Sequence, residues 1–518
     1  MTRILLRNAR VHTTLPPDED SPTTPSAVAV EDGRVAWIGD EDGASAWADA
    51  DRAIDLGGAW LGPGFVDAHL HAVQTGFAET GLDLTGSRTR EEALDRLAGH
   101  AARAADGTVI VGQGWDETLW PDATPPTAAE VERAAPDARV ILTRVDGHSS
   151  VLSPALTASV PGLESMDGWS DDGRVVREAS HAVRVVLATL IGPDQRLDAA
   201  RAACRLMARQ GVVAFHENAA PHIGPEYELD LVRQAAEETG LHATLYWGEA
   251  GALDAAQRLG VAGLAGDLNV DGAVGSRTSC LHQPYTDAPG TTGHAYLTAE
   301  EIAEHVLLCT ESGLQAGFHC IGDAAMDAVA EGFRRAASTA GPEAIRAARH
   351  RLEHVEMPST EVIATLAELG VTSSVQPMFD ALWGGPEQMY AERLGARWQG
   401  MNPLRSLADA GVALALGSDS PVTPVRPWAA VRSAVLHHEA EQRLDPHTAV
   451  TAHTVGGWRA AGHTDRGRVE VGAPADLAAW HLPAGAEAGL PVLAPDTDLP
   501  RLRLTLAAGR IIHEEDPS

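Results

Sequence analysis

The 518-residue sequence predicts an α/β fold: a (β/α)8 TIM barrel with a small β-sandwich domain built from both termini and a cap inserted between barrel strands 1 and 2. Three observations carry that expectation. Through the middle of the chain roughly eight apolar strand-like runs alternate with helix-like runs, the rhythm of a barrel whose functional groups gather where strands end. Short strand-like runs broken by Gly and Asp turns occupy both ends of the chain. A stretch from about 73 to 195, too long for a plain connection, separates the first two barrel strands.

Taken in order, "ILLRNARVHT", "SAVAVEDGRVAWIGD" with its turn at Asp32-Gly33, and "RAIDLGG" read as strands. The far end repeats the manner in "DRGRVEVGAPADLAAW" and "LRLTLAAGRIIHE", so 1–58 and 466–518 are expected to form one composite β domain beside a barrel over 59–465. Barrel strands are expected in "GFVDAHLH", "GVVAFHEN", "LHATLYW", "GDLNVDG", "GLQAGFHCIGD", "HRLEHVEM", "GVTSSVQPM" and "GVALALGSDSP". Helices such as "LDAARAACRLMARQG", "TAEEIAEHVLLCTESG" and "STEVIATLAELG" intervene, with apolar residues at three and four spacing and a C-terminal Gly. A doubly wound open sheet would want a glycine-rich phosphate loop after the first strand, and "GFVDAHLHA" is not one. The insert carries strands of its own ("TVIVGQGW", "ARVILTRVDGH") and a helix ("TREEALDRLAGHAARA"), as a cap over the barrel mouth would.

A formal charge of −33 repels phosphate backbones and argues against a nucleic-acid partner. No apolar run reaches the roughly 18–20 residues of a membrane span, and the start, "MTRILLRNARVHT", lacks the apolar core of a secretory signal. A cytoplasmic protein acting on a small molecule is the expectation. The four cysteines, Cys204, Cys280, Cys309 and Cys320, show no CxxC spacing and read as reduced thiols. All 39 basic residues are arginine, which excludes Schiff-base catalysis, a P-loop lysine and any lysine-derived metal ligand.

Side chains two apart in an extended segment face the same way, so in "FVDAHLH" His69 and His71 point together. An HxH pair alone, or a single histidine closing a strand, is as readily a hydrogen-bonded structural residue. Their ordered recurrence is harder to explain so. His319 closes "LQAGFHC", His354 closes "RLEHVE" and Asp419 closes "VALALGSD". Imidazoles with a carboxylate suit Zn²⁺ or a similar first-row divalent ion, and a position left open for water marks a catalytic site.

With these residues and the segments "GPGFVDAHLH", "GQGWDE", "RVDGHSS", "VDGAVGSRTS", "QPYTD", "HCIGDAAMD", "RLEHVE", "SVQPMF", "GSDSPV" and "GRVEVGAPADL", the sequence resembles the amidohydrolase superfamily. Within it, the resemblance is to amidohydrolase family 3, which includes N-substituted formamide deformylases. It runs over nearly the whole chain, and its motifs specify the family better than the substrate. It implies metal ligation by His69 and His71, by His319 at the family's fifth-strand position and by Asp419 at its eighth, with His354 at the sixth. Many relatives bridge two ions with a carbamylated lysine on the fourth strand; here that place is Asp267, shorter by several bonds. The resemblance so modified implies one ion, Zn²⁺ with Fe or Mn as alternatives, without excluding two. His354 is then a ligand or a substrate contact, and Asp267 and Glu217 are the less favoured ligands.

The same resemblance implies metal-activated water attacking an sp² carbon, Asp419 shuttling the proton and His354 helping to stabilise the oxyanion. Trp115 and Asp116, Arg144, Asp146 and His148, Arg277, Tyr285 and Gln376 are the substrate-side candidates, each of which serves equally well as a local structural residue. Asp323 either orients His319 or caps the following helix. The leading expectation is hydrolysis of a C–N bond in a small amide or N-substituted formamide. Deamination of a cyclic amidine is the alternative, and a non-catalytic scaffold is disfavoured because every ligand position is filled. Relatives suggest a homodimer.

Overall fold

The computed structural model describes residues 3–13, 25–104 and 107–515. The expected terminal domain therefore lies outside the described residues at 1–2, 14–24 and 516–518, and the expected cap at 105–106. Eight parallel strands form the central sheet: β1 (Phe65–Leu70), β2 (Val212–Ala219), β3 (His242–Trp247), β4 (Gly263–Leu264), β5 (Gln315–Cys320), β6 (Arg351–His354), β7 (Thr372–Val375) and β8 (Leu414–Leu416). Neighbours in sequence are neighbours in the sheet. The ring shuts where β1 meets the segment after β8. Leu70 bridges Ser420, Asp419 N–H donates to the His69 carbonyl at 2.7 Å, and His71 N–H donates to the Ser420 carbonyl at 3.0 Å. The result is a closed TIM barrel whose catalytic end brings the first and last strands into register.

The fourth strand differs from expectation. "GDLNVDG" is not the strand; β4 ends at Leu264, and beyond it only Asn269 makes a bridge, to His319. Gly266 stands between them at φ +80°, its α-carbon so close to Asn218 that a Cβ would sit 2.8 Å from that side chain. A left-handed glycine turns the chain out of the sheet there and leaves Asp267 over the barrel mouth.

The terminal segments form one composite β domain, in which seven strands make a single continuous sheet. Its order is Arg510–Glu514, Arg501–Ala507, Leu477–His481, Arg52–Pro63, Arg3–Val11, Ala27–Glu31 and Arg34–Gly39. The 12-residue strand Arg52–Pro63 is the reason: it pairs with the amino-terminal strand on one edge and the carboxy-terminal Leu477–His481 on the other. It also runs through residue 58, so the expected domain boundary falls inside a strand. The sheet curls until Arg34 bridges Pro474, enclosing a core that includes Leu6, Val30, Leu56, Leu477 and Leu504.

Between β1 and β2 stands a five-stranded sheet, ordered Arg174–Val175, Ser150–Leu152, Arg139–Arg144, Val109–Trp115 and Leu82–Asp83. It has its own core around Leu97, Trp115, Val131 and Leu142. Three helices tie it to the barrel: α1 (Ala72–Thr80), α2 (Arg177–Leu190) and α3 (Pro193–Ala208). On α2, Ala179, Val183 and Leu187 are buried at helical spacing, which turns His181 and Arg184 another way, toward the barrel mouth. No helix among the described residues is long and apolar enough to cross a membrane.

The tightest joint is α1 on α3, where a Cβ on Gly76 would lie 1.8 Å from the Ala199 carbonyl oxygen. In an open helix Gly→Ala gains up to about 1 kcal/mol from propensity. Here the clash is with backbone that cannot rotate away, and overpacking of this kind costs roughly 1–3 kcal/mol or more. Gly76→Ala is therefore expected to destabilise the protein, read as a lowered midpoint in denaturant unfolding.

Candidate metal centre

Alternation along β1 sends Val66 and Ala68 outward, onto Trp458 and Ala460, and Asp67 and His69 inward. His71 follows as the residue capping α1. Asp67 accepts the Ser418 N–H at 2.9 Å, which fastens the loop carrying Asp419 to the first strand. Asp419 itself adopts φ +53°, and its carboxylate comes back over both imidazoles. Its Oδ1 lies 3.3 Å from His69 Nε2 and 3.2 Å from His71 Nε2.

Asp267 closes the opposite side. Its Oδ1 is 3.4 Å from His69 Nε2 and its Oδ2 3.4 Å from His71 Nε2. A glycine turn, not a longer side chain, brings this short carboxylate, the less favoured ligand on sequence grounds, within reach of both imidazoles. His354 would face away from Glu353 in a regular strand, but φ +73° at His354 and +51° at Val355 re-aim it. Such conformations carry about 1–3 kcal/mol of strain each and persist where surrounding structure imposes them.

Two overlapping sets of donors result, His69/His71/Asp419 and His69/Asp267/His354, each within 4.8 Å. His319 stands one step out, with its ring centroid 4.4 Å from that of His354. Against the resemblance, then, His354 and not His319 completes a close set.

The donors fit a cation. His69 Nε2, His354 Nε2, His319 Nδ1 and Asp267 Oδ1 are buried without a hydrogen-bond partner among the described residues, where such atoms are normally paired. Two ligand atoms about 2.1 Å from one ion at the tetrahedral angle stand about 3.4 Å apart, which is the spacing seen between these imidazoles and carboxylates.

The Nδ1 atoms of His69 and His354 are fixed from behind. His69 Nδ1 meets Glu353 Oε2 at 2.8 Å, and Glu353 is held by Arg351 at 2.6 Å; Arg351 also donates to the Ala68 carbonyl. His354 Nδ1 meets Gln376 Oε1 at 2.8 Å. Since a carboxylate or amide oxygen only accepts, both imidazoles donate from Nδ1 and, when neutral, offer the Nε2 lone pair to a ligand site. That arrangement leaves the His354 Nε2 lone pair free to join a ligand set. Gln376, expected on the substrate side, is the residue that positions it.

Burial alone would depress the His69 imidazole, but Asp419 and Asp267 outweigh it and hold its pKa well above the ordinary value; His71 is raised in the same way. Burial acts on Asp419 in the opposite sense, and His69 and His71 overcome it, so its pKa lies well below that of an ordinary carboxyl. Glu217, considered as a ligand, instead accepts the Ala72 N–H at 2.8 Å, and burial pushes its pKa to about 7.

A cavity of about 150 Å³ opens from the centre toward the cap, lined by His71, Asp267, His319 and Asp419 below and by Arg144, His148, His181, Arg184 and His222 above. Of the substrate-side candidates, Arg144, Asp146 and His148 reach it. Arg144 is engaged with Asp116, Glu117 and Asp146 at 2.8–3.0 Å, leaving it a structural tie. The others are used elsewhere, because cap and loop must satisfy their own polar groups. Trp115 is buried in the cap core and donates to the Leu142 carbonyl, and Asp116 caps the turn at Thr118. Arg277 pairs with Asp287, and Tyr285 is buried, donating to the Ser279 carbonyl. Asp323 accepts from His282 and Ala324 N–H and does not touch His319. Glu353, Arg351, Arg184, His181 and His222 were not singled out from sequence. The first two had left a signal, two charged residues at i and i+2 in a strand otherwise read as buried.

Glu353→Gln is expected to weaken cation affinity about 10–100-fold in chelator competition. By leaving Arg351 buried without its partner, it should also cost about 3–5 kcal/mol in unfolding free energy. Protons held on His69 and His71 above the ordinary pKa of 6.5 must leave before a cation enters, so affinity should rise with pH through and beyond that value. A calorimetric Kd that is flat between pH 6 and 8 would contradict this linkage.

Comparison with known proteins places this geometry. Residues 52–513 match the model of the amidohydrolase family. The chain is 26% identical to the putative amidohydrolase YtcJ of Bacillus subtilis, covering 81% of this chain and 82% of that one. It is 24% identical to the N-substituted formamide deformylase of Arthrobacter pascens, over 92% and 93%. In fold it is similar to an uncharacterised metal-dependent hydrolase from Pyrococcus furiosus, with a TM-score of 0.70 at 24% identity over 92% of this chain and 98% of that one. The chain belongs to the amidohydrolase family, and so to the hydrolases that act on carbon–nitrogen bonds.

Proposed function

We propose that the protein hydrolyses the C–N bond of a small N-substituted formamide or related amide, using one divalent ion, Zn²⁺ ahead of Fe or Mn. The observation that carries this reading is the convergence of His69, His71, Asp267, His354 and Asp419 beneath a cavity large enough for a small molecule. The two donor sets share the single free nitrogen of His69, which can serve only one ion at a time, and this favours one ion over two. Such an ion supplies a water-derived nucleophile at neutral pH and polarises the carbonyl.

The chain's own residues do the rest. Asp419, ionised at neutral pH, accepts the proton of the attacking water and delivers it to the leaving nitrogen, one carboxylate acting as base and then acid. His319 and His148, 5.0 Å apart between ring centroids and kept neutral by burial, face the same space. An N–H from either one supports the developing oxyanion, a contribution of about 3–4 kcal/mol per well-placed donor. Water and formamide give formate and an amine.

The remaining reading is consistent with that chemistry. A net charge of −33 suits neither nucleic acid nor an anionic membrane surface as partner, and the four cysteines are unpaired, as in a reducing cytoplasm. A homodimer is part of the same proposal.

A screen of N-alkyl formamides, N-acyl amines and aminated heterocycles, scored for formate, carboxylate and ammonia, tests the reaction class. Formate or carboxylate release is expected; ammonia released only from the heterocycles would instead make the protein a deaminase. Asp419→Asn is expected to lower kcat by more than about 10²-fold, the lower range for loss of a general acid–base. A variant retaining full turnover would remove Asp419 from the chemistry.

A further inference from the structure

Four arginines line the cavity: Arg144, Arg177, Arg184 and Arg196. Three are neutralised where they stand. Arg144 contacts Asp116, Glu117 and Asp146, Arg177 forks onto Asp167 at 2.6 and 2.8 Å, and Arg196 is bound to Glu228. Arg184 has no carboxylate in contact among the described residues, and its one hydrogen bond is to the Gly147 carbonyl. A half-buried guanidinium without a counter-charge is expensive to maintain, and burial draws its pKa below the ordinary value although Asp267 and Asp146 oppose the shift. The neighbouring imidazoles of His181 and His222, 4.7 Å apart between centroids, are held neutral by burial and by Arg184 itself, so they add polar edges without charge. At the floor, Asp267 and Asp419 are the ones a cation would neutralise.

We propose that Arg184 anchors a carboxylate on the substrate, so that the compound hydrolysed is an N-formyl or N-acyl amino acid rather than a neutral amide. A guanidinium presents a planar fork to a carboxylate, and a single free one matches a single negative charge. The substrate's side chain has apolar wall to lie on, from Phe77, Ile141, Leu187 and Ile223. The scissile carbonyl is at the floor and the carboxylate at the cap, so the cap helix selects among compounds the floor would cleave alike. This rests on the proposed hydrolysis, which it deepens: N-formyl-leucine and water would give formate and leucine, with the new C–O bond on the formyl carbon and the proton passed to the amine.

The test compares N-formyl-leucine with its neutral carboxamide, N-formyl-leucinamide, on the metal-loaded enzyme. The native enzyme is expected to favour the acid at least tenfold in kcat/KM. Arg184→Gln should collapse that ratio by about 10–100-fold, the range of a charge-assisted contact. Equal kcat/KM for the two compounds in the native enzyme, or a ratio unmoved by R184Q, overturns the proposal. If neither compound is hydrolysed, the hydrolytic reading has failed, and calorimetric binding of N-formyl-leucine still decides the anchor. Binding at least tenfold tighter to the native protein than to R184Q supports it, and equal affinity overturns it.

Discussion

The ion pair of Arg351 and Glu353 inside the barrel is what the rest of the centre leans on. Both side chains are wholly buried on β6, and from there Glu353 grips His69 of β1 while Arg351 grips the carbonyl of Ala68 beside it. Two strands that are not neighbours in the ring are thereby locked together at the layer beneath the mouth. A well-packed apolar layer would serve stability as well or better, since desolvating two charges offsets most of their attraction. An apolar layer could not hold an imidazole in one tautomer with its free nitrogen aimed at a point. The charge pair is intelligible as a device for direction.

Electrostatic frustration above that pair gives the centre its affinity. Asp267 and Asp419 sit within 3.4 Å of the same two imidazoles, and buried carboxylates so placed demand positive charge. Protons on His69 and His71 satisfy the demand only in part, because the nitrogens that accept them are the ones a cation would use. The left-handed backbone at His354, Val355 and Asp419 belongs to the same balance: strain is concentrated where side chains are forced to converge.

The floor of the site was legible in the sequence because strand alternation and strand ends are local signals. His69, His71, His354 and Asp419 all follow apolar runs, and one reading places them together. Asp267 was visible only as the residue standing where a lysine would be expected, and its approach depends on the turn at Gly266, whose conformation no spacing rule reveals. That His354 rather than His319 lies in a close donor set turns on a positive φ and on Gln376, again beyond periodicity. The cap misled more. Trp115, Asp116 and Arg144 carry the residue types of a binding site, yet a small inserted sheet must bury its own tryptophan and pair its own charges, and that need took them. Sequence shows which residues are polar; it does not show which have already found partners.

The same distinction separates the two halves of the cavity. Below, His69 and His354 are each fixed by a second residue, Glu353 on a barrel strand and Gln376 in the loop after one, so the floor is tolerant of few changes. Above, the lining comes from α2 and the cap sheet, joined to the barrel through the close approach of Gly76 to α3. There the informative feature is a residue with a vacancy in its contacts. Arg184 is half-buried and, among the described residues, has no carboxylate in contact, whereas the other cavity arginines are paired, and it is this difference that singles it out as the anchor proposed for a substrate carboxylate.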